Sequence, residues 1–244
     1  MALNKESNGY TFGFAIVLVV VVGTVLALLS MGLKDKQDEN QEVKKKMDIL
    51  KAMLPVDEGD KITRKNANET FKKYINEADA LILSAEGEVI GEGSEAFKID
   101  IQKDFKDKTL DKKDRKYPLY IGKRDGKTIY ILPVVGKGLW GPIWGNISLG
   151  DDMSTIIGVS FGHKGETPGL GAEITQQFFK DRWIDETISD DNGDFTKFEI
   201  VKDGSGVNPK KVDGITGGTI TSKGVEEMVN RSLGVYSDYF KSLK

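Results

Sequence analysis

Apolar residues follow three regimes along this chain. From Thr11 to Leu33 they run almost unbroken, 23 residues without a charged side chain. At about 1.5 Å of rise per residue, a helix of that length crosses a hydrocarbon core of roughly 30 Å. A cleaved signal peptide has an apolar core of only about 7–15 residues and a small-residue cleavage site. Here the run is longer and no A-x-A site follows, so the pattern predicts an uncleaved transmembrane helix over 11–33. Asp35–Leu54 then sets Val43, Met47, Leu50 and Leu54 at helical spacing, and Pro55 ends the run. This predicts a stalk helix within 34–58.

Beyond the stalk the apolar runs become short. Thr70–Ala78 reads as a helix, and Ala80–Ser84 with Glu88–Gly91 as a hairpin about Glu86-Gly87. Phe97–Lys116 is charged and reads mostly as surface loop. Pro118–Gly122 and Thr128–Val135 flank Asp125-Gly126, a strong hairpin signal. Ile143–Leu149 and Thr155–Phe161 read as strands, Ala172–Trp183 as a helix and Phe198–Val201 as a strand. Val225, Met228, Val229, Leu233, Tyr236 and Phe240 share one face of a terminal amphipathic helix, Val225–Leu243. Helices, then strands, then helix, strand and helix favour an α+β domain over 59–244 with a largely antiparallel sheet.

Charge and composition narrow the chemistry. Residues 1–33 carry only Lys5 and Glu6 of the 35 basic and 38 acidic side chains. A net charge of −3 makes no electrostatic case for nucleic acid. The absence of cysteine excludes disulfides, thiolate catalysis and cysteine-ligated metal centres. His163, the only histidine, cannot build a histidine-rich metal site, and no metal site is expected. Lys34, Lys36, Lys44, Lys45 and Lys46 after the apolar run would by count hold the body in the cytoplasm. Long domains cross regardless of flanking charge, so the residues alone leave the side open.

Glycine is concentrated: 19 of the 28 lie between Gly122 and Gly224. Three glycine-bearing segments stand out. Asp213–Ser222, DGITGGTITS, sets three threonines about a Gly-Gly pair before the terminal helix. It suits either a phosphate on backbone amides or a tight turn feeding a helix. It is not a Walker A loop. His163–Glu173, HKGETPGLGAE, reads as a turn between strand and helix. Gly136–Gly145, GKGLWGPIWG, carries Trp140 and Trp144, which could stack on a flat ring or pack in the core.

Asp213-x-x-Thr216-Gly217-Gly218-Thr219-x-Thr221 resembles the flavinylation motif D-x-x-[ST]-G-A-T-x-[ST], with Gly218 in place of the usual alanine. In proteins bearing that motif a flavin transferase moves FMN from FAD onto the last hydroxyl as a phosphoester, which here is Thr221. With the apolar leader, GKGLW and ETPGLG, nearly the whole chain resembles the C-type subunit of the Na+-translocating NADH:quinone reductase. The related G-type subunit of the Rnf electron-transport complex shares the leader, ETPGLG and the flavin motif, whereas GKGLW-G-x-x-W-G leans toward the quinone reductase. The resemblance implies a one-electron carrier within a membrane complex, inactive alone, with covalent FMN. It implies residues 1–10 on the cytoplasmic side and the body in the periplasm of a bacterial inner membrane. Motif positions make Trp140, Glu166, Thr167, Leu170, Thr216, Gly217 and Thr219 candidate flavin contacts, supported by Asp213 and Gly218. Lys202, after the FEIV strand, could pair with the phosphate or a reduced flavin, or be simply solvated. Without the resemblance, the chain could equally be a membrane-anchored binding module lacking a cofactor.

Overall fold

The computed structural model describes residues 7–202, 204–206 and 209–243. In chain order the elements are α1 (Asn8–Met53), α2 (Val56–Gly59), α3 (Ala67–Tyr74), β1 (Leu81–Leu83), β2 (Val89–Glu92), α4 (Glu95–Lys98), α5 (Ile101–Lys106), β3 (Tyr117–Arg124), β4 (Lys127–Lys137), β5 (Pro142–Leu149), β6 (Ile156–His163), α6 (Gln177–Asp181), β7 (Glu199–Val201), β8 (Lys211–Asp213) and α7 (Thr219–Ser242). The apolar leader and the stalk are thus one continuous helix, α1. The chain divides into two compact units, residues up to Lys45 and Lys46–Lys244.

The first unit is the bulk of α1. Its apolar side chains, from Phe12 to Leu33, are exposed, and it contains a stretch long and apolar enough to cross a membrane, none of it buried.

The second unit is an α+β domain. Its six-stranded sheet has the order β2-β1-β3-β4-β5-β6, every pair antiparallel. A second, two-stranded sheet pairs β7 with β8 in parallel, Ile200 opposite Val212. Side chains along β4 alternate between faces. Leu132 and Val134 enter the core that holds Val225, Met228, Val229, Leu233, Tyr236 and Phe240 of α7. All six predicted facing positions of α7 are therefore buried. An aromatic cluster of Phe161, Phe179, Trp183 and Phe198 extends this core, with ring centroids 5.4–6.2 Å apart.

Two contacts pin α7 to the sheet. A Cβ on Gly136 would lie 2.6 Å from Met228 Cβ, and one on Gly224 would lie 2.3 Å from the Lys137 carbonyl oxygen. Only bare backbone permits that approach, so α7 crosses the end of β4 at close range near its own N-terminus. Farther along, the buried Tyr236 hydroxyl lies 2.9 Å from the Pro118 carbonyl oxygen and 3.0 Å from that of Pro133. Both groups lie where β3 turns from β4 to β1: the β3–β4 register ends at Tyr120–Ile131, and Pro118 pairs with Ile82 of β1. That gap also explains a proline inside a central strand, since Pro133 faces no donor-requiring partner on the β3 side. The last turns of α1 use similar devices: a Cβ on Gly158 would lie 2.1 Å from the Ala52 carbonyl oxygen, and Arg124 donates to the Met53 carbonyl at 2.6 Å.

Two expectations are corrected here, and one strand was missed. Phe97–Lys116 is not mainly loop. It holds α5 and a 3-10 turn, Lys112–Asp114, each begun by an aspartate, Asp100 or Asp111, that accepts backbone N–H groups. Ala172–Trp183 is not one helix but a 3-10 turn, Gly171–Thr175, followed by α6. β8 was invisible in the pattern, because three residues with one apolar side chain carry no periodicity.

Two glycines of α7 should respond oppositely to alanine. Gly224→Ala drives a Cβ into the Lys137 carbonyl and should cost about 1–3 kcal/mol by overpacking. Gly234→Ala has its nearest neighbour, Phe195, 3.9 Å away and should stabilise by up to about 1 kcal/mol through helix propensity. Thermal unfolding of the two variants checks both signs.

Candidate functional site

The three glycine-bearing segments meet at one buried hydroxyl. Thr221, in the first turn of α7, is 2% exposed and donates to Glu166 Oε2 at 2.6 Å. Glu166, 5% exposed, follows β6. Its other oxygen, Oε1, accepts the Trp140 backbone N–H at 2.9 Å. Its own N–H donates to His163 Nδ1 at 3.1 Å. A buried carboxylate is tolerable only when its lone pairs are engaged, and here one hydroxyl and one amide engage both oxygens.

Each contact rests on local sequence. The β4–β5 hairpin closes through Gly138 N–H to the Gly141 carbonyl, which exposes Leu139 and Trp140 at its tip and turns the Trp140 amide inward. Gly138 is required because a Cβ there would lie 2.5 Å from Glu166 Oε1. The Thr167–Leu170 turn closes through Leu170 N–H to the Thr167 carbonyl. Gly169, at φ 75°, supplies its left-handed residue. Gly171 then runs beside the pair: a Cβ there would lie 2.4 Å from Thr221 Oγ1 and 2.5 Å from Glu166 Oε2.

The Asp213–Ser222 segment is held from several sides. Asp213 Oδ1 accepts the N–H groups of Ser205 and Gly206, so this carboxylate ties those two residues to the end of β8. Arg182 donates to the carbonyls of Asp213 and Gly214 at 2.9 and 2.8 Å. Ser222 Oγ accepts the Ile215 N–H at 2.9 Å. Gly217 turns at φ 75°, and a Cβ on it would lie 2.7 Å from Leu170 Cδ2. Gly218 is the residue before α7, and no side chain caps the helix there. The first turn of α7 carries no acidic residue, so its backbone amides favour an anion.

Of the predicted site residues, the structure gathers Trp140, Glu166, Leu170, Gly217, Gly218 and Thr221. Thr167, Thr216 and Thr219 are exposed on the same segments. Lys202 follows β7, where its carbonyl closes a turn by accepting from Ser205; no hydrogen bond or ion pair among the described residues joins it to Glu166 or Thr221. Trp144 belongs to the sheet, opposite Gly162. Sequence reasoning did not single out Gly138, Gly171 and Arg182. The close-approach glycines were visible as glycines within quoted motifs. Arg182 had no local signal, because its partners lie 31 and 32 residues away.

Gly171→Ala should part the Thr221–Glu166 pair and cost about 1–3 kcal/mol. Gly141→Ala, whose Cβ would find Lys164 Cβ at 3.6 Å, should stay within about 0.5 kcal/mol of the parent. Denaturant midpoints compare the two.

Known proteins resemble this chain over most of its length. Residues 138–234, which include all three segments from Gly138 onward, match the family model described as FMN-binding domain. The C-type subunit of the Na(+)-translocating NADH-quinone reductase of Pseudomonas aeruginosa is 30% identical, over 95% of this chain and 93% of that protein. The protein of the same name from Yersinia pestis is 29% identical, over 95% and 90%. The crystal structure of the C-type subunit from Parabacteroides distasonis superposes with a TM-score of 0.72 at 34% identity, covering 85% of this chain and 96% of that one. That of NqrC from Shewanella oneidensis gives 0.67 at 22% identity, which shows the shared fold. With a relative 30% identical across nearly its full length, the chain belongs to the family of the C-type subunit of the Na+-translocating NADH-quinone reductase.

Proposed function

We propose that this chain is the flavin-bearing C-type subunit of a membrane-bound, Na+-translocating NADH:quinone reductase, with FMN joined through a phosphoester to Thr221. The observation that carries the reading is the convergence of the three motif segments on the Thr221 hydroxyl, through the 2.6 Å bond to Glu166. The neighbourhood also fits the group. Gly171 lacks a Cβ that would fill the space beside the hydroxyl, and Gly138 one that would meet the Glu166 carboxylate. The uncapped N-terminus of α7 favours the phosphate. Leu139, Trp140, Leu170 and Ile220 are large apolar side chains exposed on the converging segments, available to flank a flat ring. Bound there, FMN supplies one-electron transfer chemistry. The chain's own part is to hold it, orient it and tune it by contact, since a phosphate tether leaves the ring system unmodified.

In this reading α1 anchors the chain in the bacterial inner membrane, and the second unit works on the periplasmic side. A flavin transferase loads the FMN from FAD. NADH oxidation needs a nicotinamide pocket and a hydride acceptor, which the other subunits of the complex supply, so this chain does not turn over NADH alone.

The tryptic peptide Val212–Lys223 should carry FMN by mass spectrometry. Thr221→Ala should abolish covalent flavin, and retention of flavin on that variant rules the attachment site out. A reporter fused after Lys244 should be active only if it functions in the periplasm; a cytoplasmic signal would reverse the orientation.

A further inference from the structure

The proposed attachment leaves open why one hydroxyl among several is used, and where its proton goes. Four hydroxyls crowd this segment. Thr216 and Thr219 are exposed, and Ser222 is buried but its oxygen accepts the Ile215 amide. Thr221 is the one that donates to a buried carboxylate, Glu166. A threonine hydroxyl is a weak nucleophile at neutral pH and needs a base at hydrogen-bond distance. Glu166 Oε2 is at 2.6 Å.

Resting on the reading that Thr221 carries FMN, we propose that Glu166 is the general base of the loading reaction, so that this chain supplies part of the catalytic machinery that modifies it. Thr221 Oγ1 attacks the FAD phosphorus that bears the riboflavin half. The new Oγ1–P bond forms as the pyrophosphate P–O bond breaks, AMP leaves with that electron pair, and the hydroxyl proton passes to Glu166 Oε2. No redox change occurs.

Two features of the geometry prepare Glu166 for this. The Trp140 amide holds Oε1, so Oε2 is the oxygen aimed at the hydroxyl. The Glu166 N–H bond to His163 Nδ1 fixes the residue to the end of β6. These anchors lie on the β4–β5 hairpin and on β6, outside the exposed Thr167–Leu170 turn. Since Thr221 is 2% exposed and Gly171 lies against Oγ1, the chain at Gly171 has to give way for the phosphorus to approach, and these anchors do not depend on it. The proton also has a use afterwards. The ester oxygen can no longer donate, and a protonated Glu166 sets a neutral carboxyl, not a second negative charge, beside the new phosphate.

The test is a time course of labelling of the full chain by a purified flavin transferase with FAD and Mg2+. It is read by in-gel flavin fluorescence and by mass of the Val212–Lys223 peptide. Glu166→Gln keeps the shape and should slow labelling by about 10²-fold or more, with the flavin that does attach still on Thr221. Glu166→Asp, which keeps a carboxylate at the position, should label faster than Glu166→Gln. If Glu166→Gln melts well below the parent, Glu166→Asp carries the test: it should label more slowly than the parent, with the flavin still on Thr221. Labelling of Glu166→Gln at the parent rate, or of a folded Glu166→Asp no faster than Glu166→Gln, overturns the proposal. Flavin on a residue other than Thr221 in the parent chain would instead overturn the attachment reading on which it rests.

Discussion

The close crossing of α7 over the end of β4 is the constraint on which the rest of the site depends. With Gly136 and Gly224 at the crossing, helix and strand meet backbone to side-chain root, at distances no Cβ would allow. The contact lies one turn from Thr221, so it fixes where the helix begins relative to the β4–β5 hairpin. The Trp140 amide and the Thr221 hydroxyl are thereby brought to opposite sides of one carboxylate. A helix held farther off by even a methyl group would leave Glu166 with an unfilled acceptor in a buried place, where such vacancies are costly.

The crossing is reinforced at a distance. Tyr236, about four turns along α7, places its hydroxyl against two carbonyls that the sheet leaves open where β3 changes neighbours. Burial raises the pKa of that phenol well above its ordinary value, so it remains a proton donor throughout the accessible pH range. Arg231, between the two, donates to the Val135 carbonyl and is paired with Glu227. Helix position is therefore set by steric contact near the site and by hydrogen bonds farther along. Glu166 occupies the space left at the helix start, where backbone amides favour negative charge. The same place suits the phosphate that the proposed reading requires.

The motif segments separate into residues that reach the hydroxyl and residues that hold the loops. Asp213 belongs to the second group, since its carboxylate closes the turn from Ser205 to Gly206. His163 does too, as an acceptor for the Glu166 amide. Glu166, Gly171 and Thr221 form the first group. Residue types alone do not distinguish an acid that meets a buried hydroxyl from one that ties a loop, because both accept N–H or O–H donors.

Much of the architecture was legible along the chain because it rests on local periodicity. The 23-residue apolar run, the six-residue face of α7 and the Asp125-Gly126 hairpin each express one physical rule over a few neighbouring residues. The Asp213–Ser222 segment stood out as a candidate too, through its resemblance to a known motif. What the pattern could not supply depends on partners far apart in sequence. The bond between Thr221 and Glu166 joins residues 55 apart, and Arg182 reaches 31 and 32 residues to the carbonyls of Asp213 and Gly214. Short elements escaped for a related reason: β8 exists because β7 lies beside it, and α5 because Asp100 caps it, not because of any apolar rhythm. The sequence by itself determined which segments could be helix or strand and which residue types gather in the glycine-rich loops. Tertiary structure alone decided which glycine admits a helix and which carboxylate faces a hydroxyl, since both are set by distances across the core.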